Sequence, residues 1–221
     1  GVLLSQLNET LAAHGRFFPI DLGADPQIGG MIVTNTGGSR LVRYGDVRAN
    51  LLGLEVVLPT GEVFTQLDRL AKNNTGLDAK QLFVGTSGAF GIVTRAVLNT
   101  WPLPKQTVGA LVCARSGAAV VELLQRLEPE VGDLLSAFEA ISKNAVEAVL
   151  RHGSLERQPF ANGAPAYAVL VELQCSLAAE VLDLEDVLGM ALESAMEAMP
   201  DGIDDVVVGD VEDFWSIRHQ V

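Results

Sequence analysis

The sequence predicts a chain of mixed helix and strand in two successive regions, and three observations carry that reading. Short apolar runs rich in β-branched residues lie between turn residues, as Leu51–Leu58 and Val63–Thr65 do around Pro59-Thr60-Gly61-Glu62; this is a hairpin pattern. Leucines at helical spacing occupy other stretches. Pro102 and Pro104, separated by one residue, halt both kinds of structure and mark a boundary between the regions.

In the first region, Leu4, Leu7 and Leu11 share one helical face, and Gly15 is placed to end that helix. A short strand over Phe17–Ile20 is expected next. Asp25 to Gly38 then reads D-P-Q-I-G-G-M-I-V-T-N-T-G-G. Its glycine pairs remove Cβ atoms and permit positive φ, so successive N–H groups can turn inward as an anion-binding nest. After the hairpin, Gln81–Val84 leads into a second cluster, G-T-S-G-A-F-G from Gly85 to Gly91, and Gly91–Leu98 reads as strand. Both clusters also read as ordinary turns, with Asn35-Thr36-Gly37 capping a short helix. Neither is a standard nucleotide loop. The Rossmann fingerprint sits between a strand and the following helix, whereas here the strand follows the glycines, and no Gly-Lys-Ser or Gly-Lys-Thr occurs.

The second region opens with a strand over Thr107–Ala114, after which Ser116 caps a helix carrying Val120, Leu123, Leu124 and Leu127. Strands are expected over Ser136–Ile141, Ala166–Cys175 and Asp205–Val208. Helices are expected over Ser142–Arg151, Leu177–Met199 and Val211–Val221, with a surface loop at Glu156–Pro165. On alternation alone, such an order suggests a parallel sheet.

Composition narrows the function classes. A net charge of −13 repels nucleic-acid phosphates and anionic lipid surfaces, so no nucleic-acid partner is expected. The apolar runs fall far short of the roughly 20 residues that cross a bilayer, and Gly1–Leu11 lacks the basic start of a signal peptide. Cys113 and Cys175 each sit in an expected strand and read as buried small hydrophobes in a reducing compartment. His14, His152 and His219 show no metal-ligand spacing, so no metal site is assigned. No Ser-His-Asp or Cys-His arrangement can be assembled, and no catalytic side chain is assigned either.

The succession D-P-x-I-G-G, T-N-x-G-G, R-Y-G, L-G-L-E-V-V-L-x-x-G-E-V, K-N-N-T-G-x-D, K-Q-L-F-x-G and G-x-x-G-x-x-G-I-V-T resembles part of a known family. It is similar to the second half of the FAD-binding domain of the vanillyl-alcohol-oxidase-like (PCMH-type) flavoproteins. Within them it resembles the D-2-hydroxyacid dehydrogenases, such as D-lactate and D-2-hydroxyglutarate dehydrogenases and the glycolate oxidase flavin subunit. The match is dense from Phe17 to Pro104 and then thins to S-A-F-E at Ser136–Glu139 and F-W-S-I-R at Phe214–Arg218.

The resemblance implies an α+β class. Residues 1–104 would be the second FAD-binding subdomain, and 105–221 the start of an antiparallel, ferredoxin-like cap that holds substrate. It implies FAD in the parent protein, with Pro26, Gly29, Gly30, Thr34, Asn35, Gly37, Gly38, Tyr44, Gly45, Gly85, Gly88, Gly91, Ile92 and Val93 as cofactor contacts. Arg43-Tyr44-Gly45 and Lys72–Gly76 also match family positions near the flavin. Arg218 matches the arginine of the family's W-x-x-R pattern; there a guanidinium would hold the carboxylate of a small 2-hydroxy acid bidentately and aim its C2 hydrogen at flavin N5. On the residues alone, Arg218 also reads as a helix-surface arginine paired with Glu212 or Asp213.

The implied activity is oxidation of a D-2-hydroxy acid to the 2-oxo acid in the cytoplasm. Electrons would pass to a separate acceptor that can bring the enzyme to a membrane, and a homodimer is compatible with this. Against whole family members the chain reads as a central section, expected to hold no FAD and to be inactive alone. Its face around Ile28–Val33 would then be apolar and mobile, or covered by a neighbouring chain. Met31, Ser87, Ala89-Phe90 and Leu77 stand where the family usually has Asn, Glu, Thr-Leu and Tyr. The lost polar groups at Met31 and Ser87 point to a divergent substrate or to weakened FAD binding. Two other readings stand beside this one: a flavin-free scaffold subunit, and an oxidase of a different alcohol on the same scaffold.

Overall fold

A computed structural model describes residues 1–153, 155 and 159–221. The chain divides into two compact units, Gly1–Leu103 and Pro104–Val221. The first unit begins with α1 (Leu4–Ala12) and the two-residue β1 (Arg16–Phe17). Asp25 acts as a distant cap for α1: its carboxylate accepts from the Ser5 N–H at 2.9 Å and the Ser5 hydroxyl at 2.7 Å. Those bonds, the Ser5 backbone N–H first, hold the Asp25 carboxyl below the usual carboxylate range. The strand expected over Phe17–Ile20 stops early although Phe18 and Ile20 are buried. Pro19 has no N–H with which to continue a ladder.

Next come α2 (Ile28–Thr34), α3 (Leu41–Tyr44), the hairpin of β2 (Leu51–Val57) and β3 (Val63–Gln66), then β4 (Ile92–Leu98) and β5 (Trp101–Pro102). Strand β2 is the centre of an antiparallel β3-β2-β4 sheet, and β1 pairs with β5 in a separate ribbon. Leu54 and Val56 of β2 are fully buried among Phe18, Ile28, Met31, Ile32 and Val84. The expected nest at Gly29-Gly30 is therefore helix. The run Ile28, Met31, Ile32 has helical spacing, and its burial against β2 outweighs the low helix propensity of the glycines.

The second unit runs β6 (Gln106–Ala114), α4 (Gly117–Val131), β7 (Leu135–Ser142), α5 (Lys143–His152), β8 (Tyr167–Cys175), α6 (Leu184–Ala198), β9 (Ile203–Val208) and α7 (Val211–His219). Its sheet order is β7-β8-β6-β9 with every pair antiparallel. The alternation of strands and helices thus does not give a parallel sheet, because successive strands are not neighbours except where β8 returns beside β7. Helices α4 and α6 cover one face; α5 and α7 cover the other. That double cover explains why β6 and β8 read as near-continuous apolar runs. Cys113 lies buried on the α5–α7 face as a free thiol, which burial, with Asp205 and Asp204 nearby, pushes up to about 11. Helix α6 starts later than expected, at Leu184, where the Asp183 carboxylate accepts from the N–H groups of Glu185 and Asp186. The loop expected over Glu156–Pro165 falls in part on residues 156–158, which lie outside the described residues.

Candidate functional site

In the first unit the two glycine clusters meet. The N–H of Gly85 donates to the Ile32 carbonyl at 3.2 Å and that of Ser87 to the Val33 carbonyl at 2.7 Å. The second cluster thus satisfies carbonyls at the C-terminal end of α2, and four of its N–H groups, those of Gly85, Ser87, Ala89 and Gly91, are spent on protein rather than aimed at a ligand. A Cβ built on Gly29 would stand 3.7 Å from the Val93 carbonyl oxygen, so α2 also lies against the start of β4. Gly30, Thr34, Gly85, Gly88 and Ile92 are exposed around this junction. Nothing lies within 4 Å of a Cβ built on Gly30, leaving a bare helix surface that a flat ligand could approach closely.

Asn35 and Arg48 hold the junction together. Asn35 ends α2 in the left-handed region at φ +50°. Its side-chain oxygen accepts from the Arg48 N–H at 3.0 Å, and its amide donates to Asp46 at 2.8 Å. The Arg48 guanidinium donates to the Gln81 carbonyl and side chain and, at 2.8 Å, to the Val84 carbonyl, immediately before Gly85. Sequence reasoning assigned nothing to Arg48, and no local pattern marks it.

Other expected contacts serve the fold. A Cβ on Gly38, where φ is +79°, would come within 2.8 Å of the Asp21 carbonyl oxygen. A Cβ on Gly91 would come within 2.5 Å of both Val56 Cγ1 and the Val57 carbonyl oxygen. A Cβ on Gly37 would meet Leu41, and Gly45 ends α3 against Ala49. Tyr44 is buried edge-on between Phe17 and Trp101, with ring centroids 5.5 Å and 5.1 Å away, so its ring belongs to the core. Pro26 contributes its carbonyl to the Leu4 N–H. Thr34 is exposed, its hydroxyl bonded to the Gly30 carbonyl and to Thr36. In the exposed Lys72–Gly76 segment, the Asn73 side chain bonds Asp68 and the Thr75 N–H.

The Ile28–Val33 face is not the exposed apolar surface expected. Ile28, Met31 and Ile32 point into the unit's own core, and Met31 is 1% exposed. Met31 therefore removes no polar group from a ligand-facing surface. A groove of about 530 Å³ does run beside this helix, lined by Ile28, Gly29, Ile32, Val93, Ala96 and Leu98 with Arg69 and Arg95. Its apolar walls suit a planar ring system; of its two arginines, Arg95 lies 3.6 Å from the Glu55 carboxylate, and Arg69 suits an anionic group.

In the second unit, S-A-F-E and F-W-S-I-R come together. Arg218 Nε donates to Glu139 Oε2 at 2.8 Å, so its partner is neither Glu212 nor Asp213. Beneath that pair, Glu172 is fully buried in β8; its carboxylate accepts from the Ser136 hydroxyl at 2.6 Å and the Trp215 indole N–H at 2.8 Å. Glu172 was missed, although one acid inside the apolar run of Tyr167–Cys175 was a readable signal.

Residues 1–66 match the family model described as an FAD binding domain. The whole chain aligns with mitochondrial D-2-hydroxyglutarate dehydrogenases, at 34% identity with that of Arabidopsis thaliana and 33% with that of Rattus norvegicus, spanning 40% and 41% of their lengths. At 36% identity, 72% of the chain matches 32% of the D-2-hydroxyglutarate–pyruvate transhydrogenase of Saccharomyces cerevisiae. A solved alkyldihydroxyacetonephosphate synthase superposes with a TM-score of 0.70 at 15% identity, over 99% of this chain and 41% of that one. Throughout its length the chain thus resembles the vanillyl-alcohol-oxidase-like flavoproteins.

It spans about 40% of the length of the first of these relatives. That likeness agrees with the antiparallel α+β architecture of both units, and the match to an FAD binding domain makes FAD the cofactor to test against the glycine junction. The names of these dehydrogenases place them in mitochondria, whereas a cytoplasmic protein was expected. Among the described residues, no helix is long and apolar enough to cross a membrane.

Proposed function

We propose that the protein to which this chain belongs is an FAD-dependent dehydrogenase that oxidises a D-2-hydroxy acid to the 2-oxo acid and passes the electrons to a separate acceptor. One observation of the second unit carries the substrate reading. The Arg218 guanidinium makes a single hydrogen bond among the described residues, through Nε to Glu139, and its side chain is 40% exposed. Both Nη groups thus keep a planar edge available, the geometry that binds a carboxylate bidentately. The dehydrogenase names of the relatives support the same substrate class.

The residues of the first unit fit FAD. Gly29 and Gly30 give an α2 surface without Cβ atoms, the groove beside it is largely apolar, and Arg69 brings positive charge. When bound, FAD supplies the hydride acceptor, flavin N5, for this chemistry. The chain's own share is to bind and orient. The Gly85–Gly91 turn, fixed by Arg48, and the first residues of β4, Ile92 and Val93, would form one wall for the cofactor, with Thr34 offering a hydroxyl at its edge. Arg218 would hold the substrate carboxylate so that the C2 hydrogen has one fixed direction.

The test uses the full-length protein. It should purify with a flavin visible spectrum that bleaches on adding D-lactate or D-2-hydroxyglutarate. Arg218→Lys keeps the charge but loses the fork, and kcat/KM should fall at least ~10-fold, about 1.4 kcal/mol, with FAD content unchanged. Wild-type kcat/KM in this variant would remove Arg218 from the site. A colourless full-length protein that FAD cannot reconstitute would favour the scaffold reading.

A further inference from the structure

We infer that Glu139 is a positioning residue for Arg218, and that a buried lock formed by Ser136, Glu172 and Trp215 sets the register between the elements that carry the pair. This rests on the reading of Arg218 as the carboxylate-binding group. The argument starts from an irregularity in β7. Leu135 faces Leu173 and Ala137 faces Glu172, so Ser136 is the extra residue of a β-bulge. A regular strand would turn Ser136 and Ala137 to opposite faces. The bulge instead lets the Ser136 hydroxyl reach the Glu172 carboxylate, on the face where Ala137 joins the core beneath α5 and α7.

Glu172 is completely buried in a strand that is otherwise mostly apolar. A carboxylate there is costly unless donors surround it. One donor comes from β7 through Ser136 and one from α7 through Trp215, so the same carboxylate ties both elements to β8. Helix α7 is pinned again at its start, where Val211 fills the space left open by Gly109 of β6. With α7 pinned at Val211 and Trp215, its next turn brings Arg218 over β7, where Glu139 takes Nε at 2.8 Å.

The contact through Nε has a chemical consequence. An arginine held side-on by one carboxylate cannot rotate freely about its terminal bonds, and its two Nη groups then face one direction as a fork. Glu139 also lowers the net charge of the pair to zero, which weakens simple attraction for anions. Glu139 thus trades long-range charge for a fixed direction, as expected if orientation of the carboxylate matters more than its capture.

The experiment uses the full-length holoenzyme with D-lactate and D-2-hydroxyglutarate as substrates. Glu139→Ala should raise KM and lower kcat, so that kcat/KM falls about 10-fold or more, while FAD content and visible spectrum stay as in the wild type. Glu139→Gln keeps an oxygen that accepts from Nε and should restore most of kcat/KM. In the Arg218→Lys background, Glu139→Ala should have little further effect, because Glu139 acts only through the guanidinium. If Arg218→Lys is impaired but Glu139→Ala has wild-type kinetics, the positioning role is wrong and the substrate reading survives. If Glu139→Gln is as impaired as Glu139→Ala, orientation through the Nε bond is likewise refuted. Wild-type kinetics in Arg218→Lys would end both readings together.

Discussion

The two units use their marked residues in opposite ways. In the first unit the family likeness is dense, yet many of its glycines answer to the fold: Gly38 admits the Asp21 backbone, and Gly91 admits Val56 and Val57. The bare side of α2 and the Gly85–Gly88 turn remain exposed. In the second unit the likeness is thin, but its two short motifs converge on one side-chain cluster, with Glu139 facing Arg218 and Ser136 and Trp215 sharing Glu172. Motif density measures how strongly a backbone is constrained. It does not measure how much of that backbone faces a ligand.

Three substitutions in the full-length protein test that contrast. The largest effect belongs to Gly91→Ala, because its φ is +150° and the added methyl would sit 2.5 Å from Val56 Cγ1 and from the Val57 carbonyl oxygen. Strain and overpacking together should cost on the order of 3 kcal/mol, read as a lower urea midpoint. Stability close to wild type would mean that Gly91 is kept for something other than packing.

Trp215→Phe removes one donor from the buried Glu172 carboxylate and should destabilise by about 1–3 kcal/mol. Kinetic damage should accompany it through Arg218, with FAD content unchanged. If stability falls and kcat/KM does not, α7 is fastened to the sheet for structural reasons alone, and the marked residues of the second unit serve the fold as those of the first do.

The smallest change is the most discriminating. Gly30→Ala places a methyl where nothing lies within 4 Å, at an exposed helical position. It should therefore stabilise the protein by about 0.5–1 kcal/mol. If the bare side of α2 faces the flavin, FAD affinity should drop several-fold in a cofactor titration. Higher stability with unchanged FAD affinity would move the cofactor away from this face.

The hairpin β2–β3 and the start of α4 were legible because their causes are local: a turn tetrapeptide between β-branched runs, and Ser116 accepting from the Ala119 N–H. The helical character of α2 across Gly29-Gly30 is not legible in the sequence. Two adjacent glycines argue for a loop, and only burial of Ile28, Met31 and Ile32 against β2 favours the helix. Asn35 read as a ligand contact or a helix cap with equal ease, and the structure gives it φ +50° and bonds to Asp46 and Arg48.

Local order and family likeness were written in the spacing of residues, since a turn, a cap or a glycine pair carries its physical reason within a few positions. Which glycine admits backbone and which stays bare depends on what packs opposite it, and that partner can lie anywhere in the chain. The same holds for Arg218. Nothing near it in sequence names Glu139, 79 residues away; the bulge at Ser136, the buried Glu172 and the close approach at Gly109 bring the two side chains together, and these are properties of the packed sheet.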